Sequence, residues 1–375
     1  NSLDLIIRLS ASGYFYYVNP VVEDYTGYNA KELVGRSLSE TDLNHALDDY
    51  LHSVLLEQKK SIKKTNTEIQ IPLQMGEKLI ERTIRFDAIP ELNNNELETV
   101  LFVGHDITES KRIEKELHVK NKNIQDSINY ARKIQSAILP DEQLLQKHLP
   151  KSFIYYHPRD VVSGDFPWFY RKDEIIFIAA VDCTGHGVPG ALLSIIGFFL
   201  LKTVIDNANT KNAAEICDIL HDNFRHTLKQ NSKMADARDG LDIALCKIDQ
   251  TSKTLHFAGA HRPLYLLKKG ELEEFKGDRK AIGGIPLLKK SEENFTNYEL
   301  KYQKGDKFFF FSDGLTDQLG GPYGRKYSPK RVRNLLLENP GHTMKQFHEL
   351  FKNDFELWKK GFKQLDDVLM IGIEF

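Results

Sequence analysis

The chain has 375 residues, enough for two or three domains. Hydrophobic residues make up 41% and charged residues 28%, an ordinary globular composition, and the net charge of −2 excludes a general pull toward nucleic acid or anionic membrane. The three cysteines, Cys183, Cys217 and Cys246, lack disulfide or metal spacing, which points to a reducing, cytoplasmic setting. No secretory signal opens the chain. It starts at Asn1 and not at Met, as a fragment would, so what lies upstream is open. The longest apolar run, 191–201, is interrupted by Ser194 and Gly197; it is too short to span a bilayer and suits a buried helix.

Three segments follow in order. The first, 1–107, reads as strands at 3–9 and 14–18 around a Ser12-Gly13 turn, then short helical pieces ending at Gly27 and Gly35. Strand-like runs at 64–72, 77–89 and 98–105 come next, with turns at Gly76 and Asn93-Asn94-Asn95. This predicts a small α+β domain with an antiparallel sheet. The stretch DLIIRLSASGYFYYVNPVVEDYTGYNAKELVGRSL, closed by VLFVGHDITESKR, resembles a PAS sensor domain over the whole segment. The resemblance implies a ligand pocket between sheet and helices, with the ligand unknown. The segment has no cysteine, which argues against a flavin–cysteine photosensor. His45, His52 and His105 could be imagined as haem ligands but read better as structural histidines.

The second segment, 108–140, is charged and lacks glycine. Leu117, Ile124, Ala131 and Ile138 form one seven-residue series, and Ile113, Lys120, Ser127 and Ile134 form another four residues earlier. The pattern is a heptad with a good d layer and a poor a layer, which predicts a parallel coiled-coil homodimer able to switch. A single amphipathic helix packed on a neighbouring domain is the other reading. Pro140 ends the helix.

The third segment, 141–375, predicts strands at 174–181, 241–248, 254–259, 264–267, 307–311 and 368–375. Helices are expected at 190–205, 212–231, 329–337 and 344–358. Turns at 249–253 and Lys269-Gly270 imply antiparallel pairing, hence an α/β sandwich of sheet on sheet with helices outside. Within it, Asp165, Asp182, Asp313 and the Asp366-Asp367 pair each lie where an apolar strand meets a turn. Such acids cannot gather bare, because like charges raise one another's pKa. Oxygen-only donors favour Mg²⁺ or Mn²⁺ over Zn²⁺. Spacing alone leaves the question even, since acids at strand ends are common in turns.

The ordered pieces ARKIQSAILP, RDVVSGDFPWF, IAAVDCTGHGVPGALLS, LDIALCKID, LHFAGAHRPLYLL, FFFFSDGLTDQLGG and DDVLMIGIEF resemble the PPM-type serine/threonine phosphatases of the stage II sporulation protein E branch. The resemblance implies an α/β/β/α sandwich and two Mn²⁺ or Mg²⁺ ions. It implies Asp165, Asp182, Asp313 and Asp366 as ligands, with Asp182 bridging and the backbone carbonyl of Cys183 joining them. Leu369 and His261 depart from the family pattern. The resemblance also implies a phosphoserine or phosphothreonine protein as substrate, commonly an anti-sigma factor antagonist.

Metal-activated water would attack phosphorus directly, and no protein nucleophile is evident: Cys183 has no arginine-rich phosphate loop around it. His186 is a candidate for protonating the leaving oxygen; a structural histidine in a glycine turn is the other reading. CTGHGVPG lacks the lysine of a nucleotide P-loop. His118 lies on the linker helix without the features of a histidine-kinase site, and SGDF lacks the second acid of a diguanylate-cyclase hairpin. The alternative kept is a non-catalytic phosphoprotein-binding module with a phosphatase fold.

Overall fold

A computed structural model describes residues 3–75, 78–207, 212–230, 239–284 and 293–375. The chain divides into two compact units, Asn1–Ile124 and Gln125–Phe375.

In the first unit, β1 (Leu5–Ser10), β2 (Phe15–Val18), β3 (Thr65–Met75), β4 (Lys78–Asn93) and β5 (Glu96–Asp106) form one antiparallel sheet in the order β2-β1-β5-β4-β3. The β4–β5 turn uses Asn94 (φ 49°) and Asn95 (φ 68°), two successive left-handed residues that match the strand twist. The expected turn at Gly76 lies outside the described residues. The helices α1 (Val22–Thr26), α2 (Ala30–Leu33) and α3 (His45–Lys60) cover the sheet. Leu47, Leu51 and Val54 of α3 share a core with Ile71, Ile84, Phe86 and Phe102. Burying each such side chain is worth about 1.5–3 kcal/mol. The three histidines weighed as haem ligands instead sit beside carboxylates: His45 with Asp49, His52 with Asp48 and His105 with Asp4.

The helix α4 (Thr108–Ile138) is continuous across the boundary between the units. It leaves Ile113, Leu117, Ile124 and Ile134 exposed, all members of the heptad series.

The second unit has four layers. After α5 (Glu142–His148), the strands are β6 (Ser152–His157), β7 (Phe166–Lys172), β8 (Ile175–Cys183), β9 (Gly240–Asp249), β10 (Thr254–Ala260), β11 (Leu264–Lys268), β12 (Glu271–Phe275), β13 (Ile282–Gly283), β14 (Tyr298–Lys301) and β15 (Lys307–Phe311). They are followed by β16 (Leu319–Gly320), β17 (Arg325–Lys326) and β18 (Val368–Glu374). One sheet runs β14-β10-β9-β8-β7, with β13 also on β9; the other runs β12-β11-β15-β18-β6.

Alternation along the strands explains the layering. Ile176, Ile178, Ala180, Ala244 and Cys246 of the first sheet interdigitate with Leu266, Phe308, Phe310, Leu369 and Ile371 of the second. Leu369, where the family pattern has a different residue, is therefore core packing. The opposite face of the first sheet carries α6 (Gly187–Asn207) and α7 (Ala213–Thr227), through Phe177, Ala179 and Val181 against Leu201, Ile216 and Leu220. After the short α8 (Asp313–Asp317), α9 (Ser328–Glu338) and α10 (Met344–Trp358) cover the second sheet, through Phe309, Phe311 and Met370 against Val332, Phe347 and Phe351.

The helix α6 is longer than the apolar run within it: with 21 residues it is, among the described residues, the one helix long and apolar enough to cross a membrane. Here Leu193, Leu201, Val204 and Ile205 are buried in the core beneath it. The strand expected at 174–181 runs on to Cys183, so Asp182 lies inside a strand and not past its end. The helix expected over 212–231 is shorter: it ends at Thr227, and Lys229 with a φ of 54° turns the chain out of it.

Candidate functional site

Asp165 immediately precedes β7, Asp182 is in β8, Asp313 opens α8 and Asp366 stands before β18. The two sheets therefore deliver these carboxylates to one end of the sandwich. Their mutual fields show the convergence. Burial pushes the Asp165 carboxyl well above its ordinary range, and Asp182 adds to the rise. Burial also pushes Asp182 up to about 7, with Arg262 opposing and Asp313 and Asp242 assisting. Asp366 is raised mainly by burial, with Asp313 and Asp367 contributing and His186 opposing. Both Asp165 Oδ2 and Asp182 Oδ2 are buried without a hydrogen bond. An unsatisfied buried carboxylate oxygen is costly, and a cation is the usual remedy.

One protein cation is already present. Arg262 Nη2 lies 2.6 Å from Asp313 Oδ2, 2.7 Å from Asp242 Oδ2 and 3.2 Å from Asp182 Oδ2. Those distances suit a guanidinium; Mg²⁺ needs about 2.0–2.1 Å. Among the described residues no three His, Cys, Asp or Glu side chains are drawn in tightly enough to hold a metal as they stand. The donor set nevertheless fits hard divalent ions, since it has an unpaired buried oxygen on Asp165 and three carboxylates sharing one positive charge.

The glycines of the motifs have steric reasons. A Cβ on Gly164 would come within 2.5 Å of the Gly185 carbonyl and 3.2 Å of the Cys183 carbonyl, so the loop before Asp165 can press against the turn after Asp182 only without a side chain. A Cβ on Gly314 would collide with the Asp367 carbonyl. The Cys183 thiol is buried and pushed far up by that burial, which leaves it inert as a nucleophile; only its backbone carbonyl is a candidate ligand.

Four functional features escape a reading of the sequence. Asp367 is buried and accepts hydrogen bonds from Arg159 N at 2.7 Å and Gly164 N at 2.8 Å, so the second acid of the pair pins the loop that presents Asp165. Gln135 of α4 is buried as well. It donates to the Ser163 carbonyl at 2.7 Å and Ser194 Oγ at 2.9 Å, and accepts from Ser163 N at 3.2 Å. Asp242 is the cross-strand partner of Asp182. Asp160 holds His186 Nδ1 at 2.9 Å, and both side chains are partly exposed. The alternation of LDIALCKID could have flagged Asp242, since it places an acid among apolar neighbours. His261 is also explained: its Nδ1 meets Asp242 Oδ1 at 2.8 Å, and its φ of 55° forms the turn that presents Arg262.

The family model of stage II sporulation protein E matches residues 172–375. The chain belongs to this family, a branch of the PPM-type serine/threonine phosphatases. The matched span contains Asp182, Asp313 and Asp366; Asp165 lies before it and rests on its motif and geometry. The SiaA-PP2C domain of Pseudomonas aeruginosa is 32% identical, with a TM-score of 0.61 over 68% of this chain and 98% of that one. The phosphoserine phosphatase RsbU of Bacillus subtilis is 23% identical over 258 residues, 66% of this chain and 70% of the relative.

Proposed function

We propose that the chain is a cytoplasmic, signal-regulated, metal-dependent protein serine/threonine phosphatase. The observation that carries this reading is the gathering of Asp165, Asp182, Asp313 and Asp366, with Asp165 Oδ2 buried and unpaired and Asp182 Oδ2 held only by the Arg262 ion pair. These four carboxylates and the Cys183 carbonyl would hold two Mn²⁺ or Mg²⁺ ions. Bound there, the ions supply a water activated at neutral pH and neutralise charge on the phosphoryl oxygens. Asp367 keeps Asp165 in place through the loop backbone. His186 engages Asp160 through Nδ1, which leaves Nε2 as the nitrogen able to protonate the departing serine oxygen. RsbU is named a phosphoserine phosphatase, which supports phosphoserine as the group removed; a protein of the anti-sigma factor antagonist class as its carrier is what the family resemblance implies.

The first unit we read as a PAS sensor, on the strength of its antiparallel sheet with α1–α3 laid against it. Exposed Ile113, Leu117, Ile124 and Ile134 on α4 support a homodimer through the linker. Gln135 supports coupling: α4 grips the backbone two residues before Asp165, so a change in α4 packing bears directly on a metal ligand.

The test is turnover of a phosphoserine peptide with Mn²⁺ and with chelator, beside Asp182→Asn and Asp313→Asn. Metal-dependent turnover lost in both variants is expected. Mn²⁺ binding without turnover, in the full chain and in 131–375 alike, would favour the phosphoprotein-binding module.

A further inference from the structure

We propose that Arg262 is a resident counter-cation of the carboxylate cluster, which divalent ions must displace to enter; this rests on the metal-dependent reading above. Two of the three oxygens around Arg262 Nη2 belong to Asp182 and Asp313, both in the proposed ligand set. The same oxygens cannot close on a metal and on a guanidinium nitrogen at 2.6–3.2 Å together. A divalent ion would also repel a guanidinium placed that near.

The third oxygen belongs to Asp242, which is outside the ligand set. Asp242 is braced on its other oxygen by His261 at 2.8 Å. It is therefore the anchor on which Arg262 turns, keeping one partner when Asp182 and Asp313 let go. Arg262 Nε is buried without a hydrogen bond, so the seated position does not satisfy the whole guanidinium group. The arrangement neutralises part of a crowded set of acids while no metal is bound, and it makes metal entry an exchange of cations. Metal affinity is thereby set below what the bare carboxylates would give.

The experiment uses the full chain and Mn²⁺ binding, read by calorimetry or by the paramagnetic resonance of free Mn²⁺. Arg262→Gln is expected to bind Mn²⁺ about tenfold more tightly. Arg262→Lys, which keeps the charge on a shorter side chain and so reaches less far into the three carboxylates, is expected to fall between. A second readout needs no variant that might misfold: the guanidinium NMR signal of Arg262 in the wild-type chain, assigned by its loss in Arg262→Lys. It should be restrained in the metal-free chain and shift or broaden on saturation with Mg²⁺. Unchanged or weaker Mn²⁺ affinity in Arg262→Gln, or an Arg262 signal indifferent to Mg²⁺, would overturn the proposal. If neither wild type nor variant binds Mn²⁺, the metal reading fails, and this inference with it.

Discussion

Asp182 shows how much a single carboxylate can be asked to bear. Its folded pKa of about 7 lies above the value near 3.9 of an unfolded aspartate. The native metal-free chain therefore holds a proton that the unfolded chain has released, and stability falls as pH rises from about 4 to about 7. Denaturant melts in chelator should show this decline, and Asp182→Asn should flatten it; parallel pH profiles for the two proteins would contradict the assignment. Asp367 acts differently, through the backbone. Asp367→Ala leaves the Arg159 and Gly164 amides without their acceptor, at about 1–3 kcal/mol each. Lower thermal stability and weaker Mn²⁺ binding are expected together; a variant with wild-type metal affinity would show that the loop holds Asp165 without it. Asp165, Asp182, Asp313 and Asp366 stand out in the sequence through ordered motifs that resemble a known family, since their spacing alone leaves the question even; the structure brings the four into one another's fields. Arg262 does not stand out, because its importance comes from where a left-handed turn aims it, across from strands about 20 to 80 residues away.

At the level of elements, α4 carries two patterns along one helix. Ile113, Leu117, Ile124 and Ile134 of the heptad series are exposed, as are Val119 and Tyr130 outside it, while Gln135 lies off both series and turns inward. Periodicity reveals the heptad and hides the glutamine, since a lone glutamine on a charged helix carries no signal of burial. Gln135→Ala should orphan the Ser163 amide and cut phosphatase turnover several-fold, with little change in helix content by circular dichroism. Wild-type turnover in that variant would remove α4 from control of the site. The strands β6 and β7 also escaped notice. Pro167 within β7 argues against a strand, yet β7 is the outer strand of its sheet, where a missing amide donor is tolerated. The longer strands of the first unit stand out in the sequence, as do β8, from its isoleucine and valine run, and β15, from its four phenylalanines; both faces of β8 and β15 are covered.

Across the whole molecule, the layer order of the second unit followed from strands grouped between helices, and the structure has that order. The regulatory reading belongs to this scale too. If the sensor governs the enzyme, deleting residues 1–107, or charging Ile124 and Ile138 in the full chain, should change turnover; equal turnover throughout would sink the coupling.

The placement of β18 has a consequence for biosynthesis. It lies between β15 and β6, and Asp367 fastens a loop 208 residues earlier in sequence. Translation takes roughly ten to forty seconds to cover that interval. Until Asp366 and β18 leave the ribosome, β6 has no partner in its sheet and Asp165 stands on a loop without its tether. Nascent chains arrested just before Asp366 should therefore yield no protease-resistant phosphatase unit, whereas arrest with some forty further residues of linker should release one at once. A site spread this far along the chain is assembled only when its last strand is made.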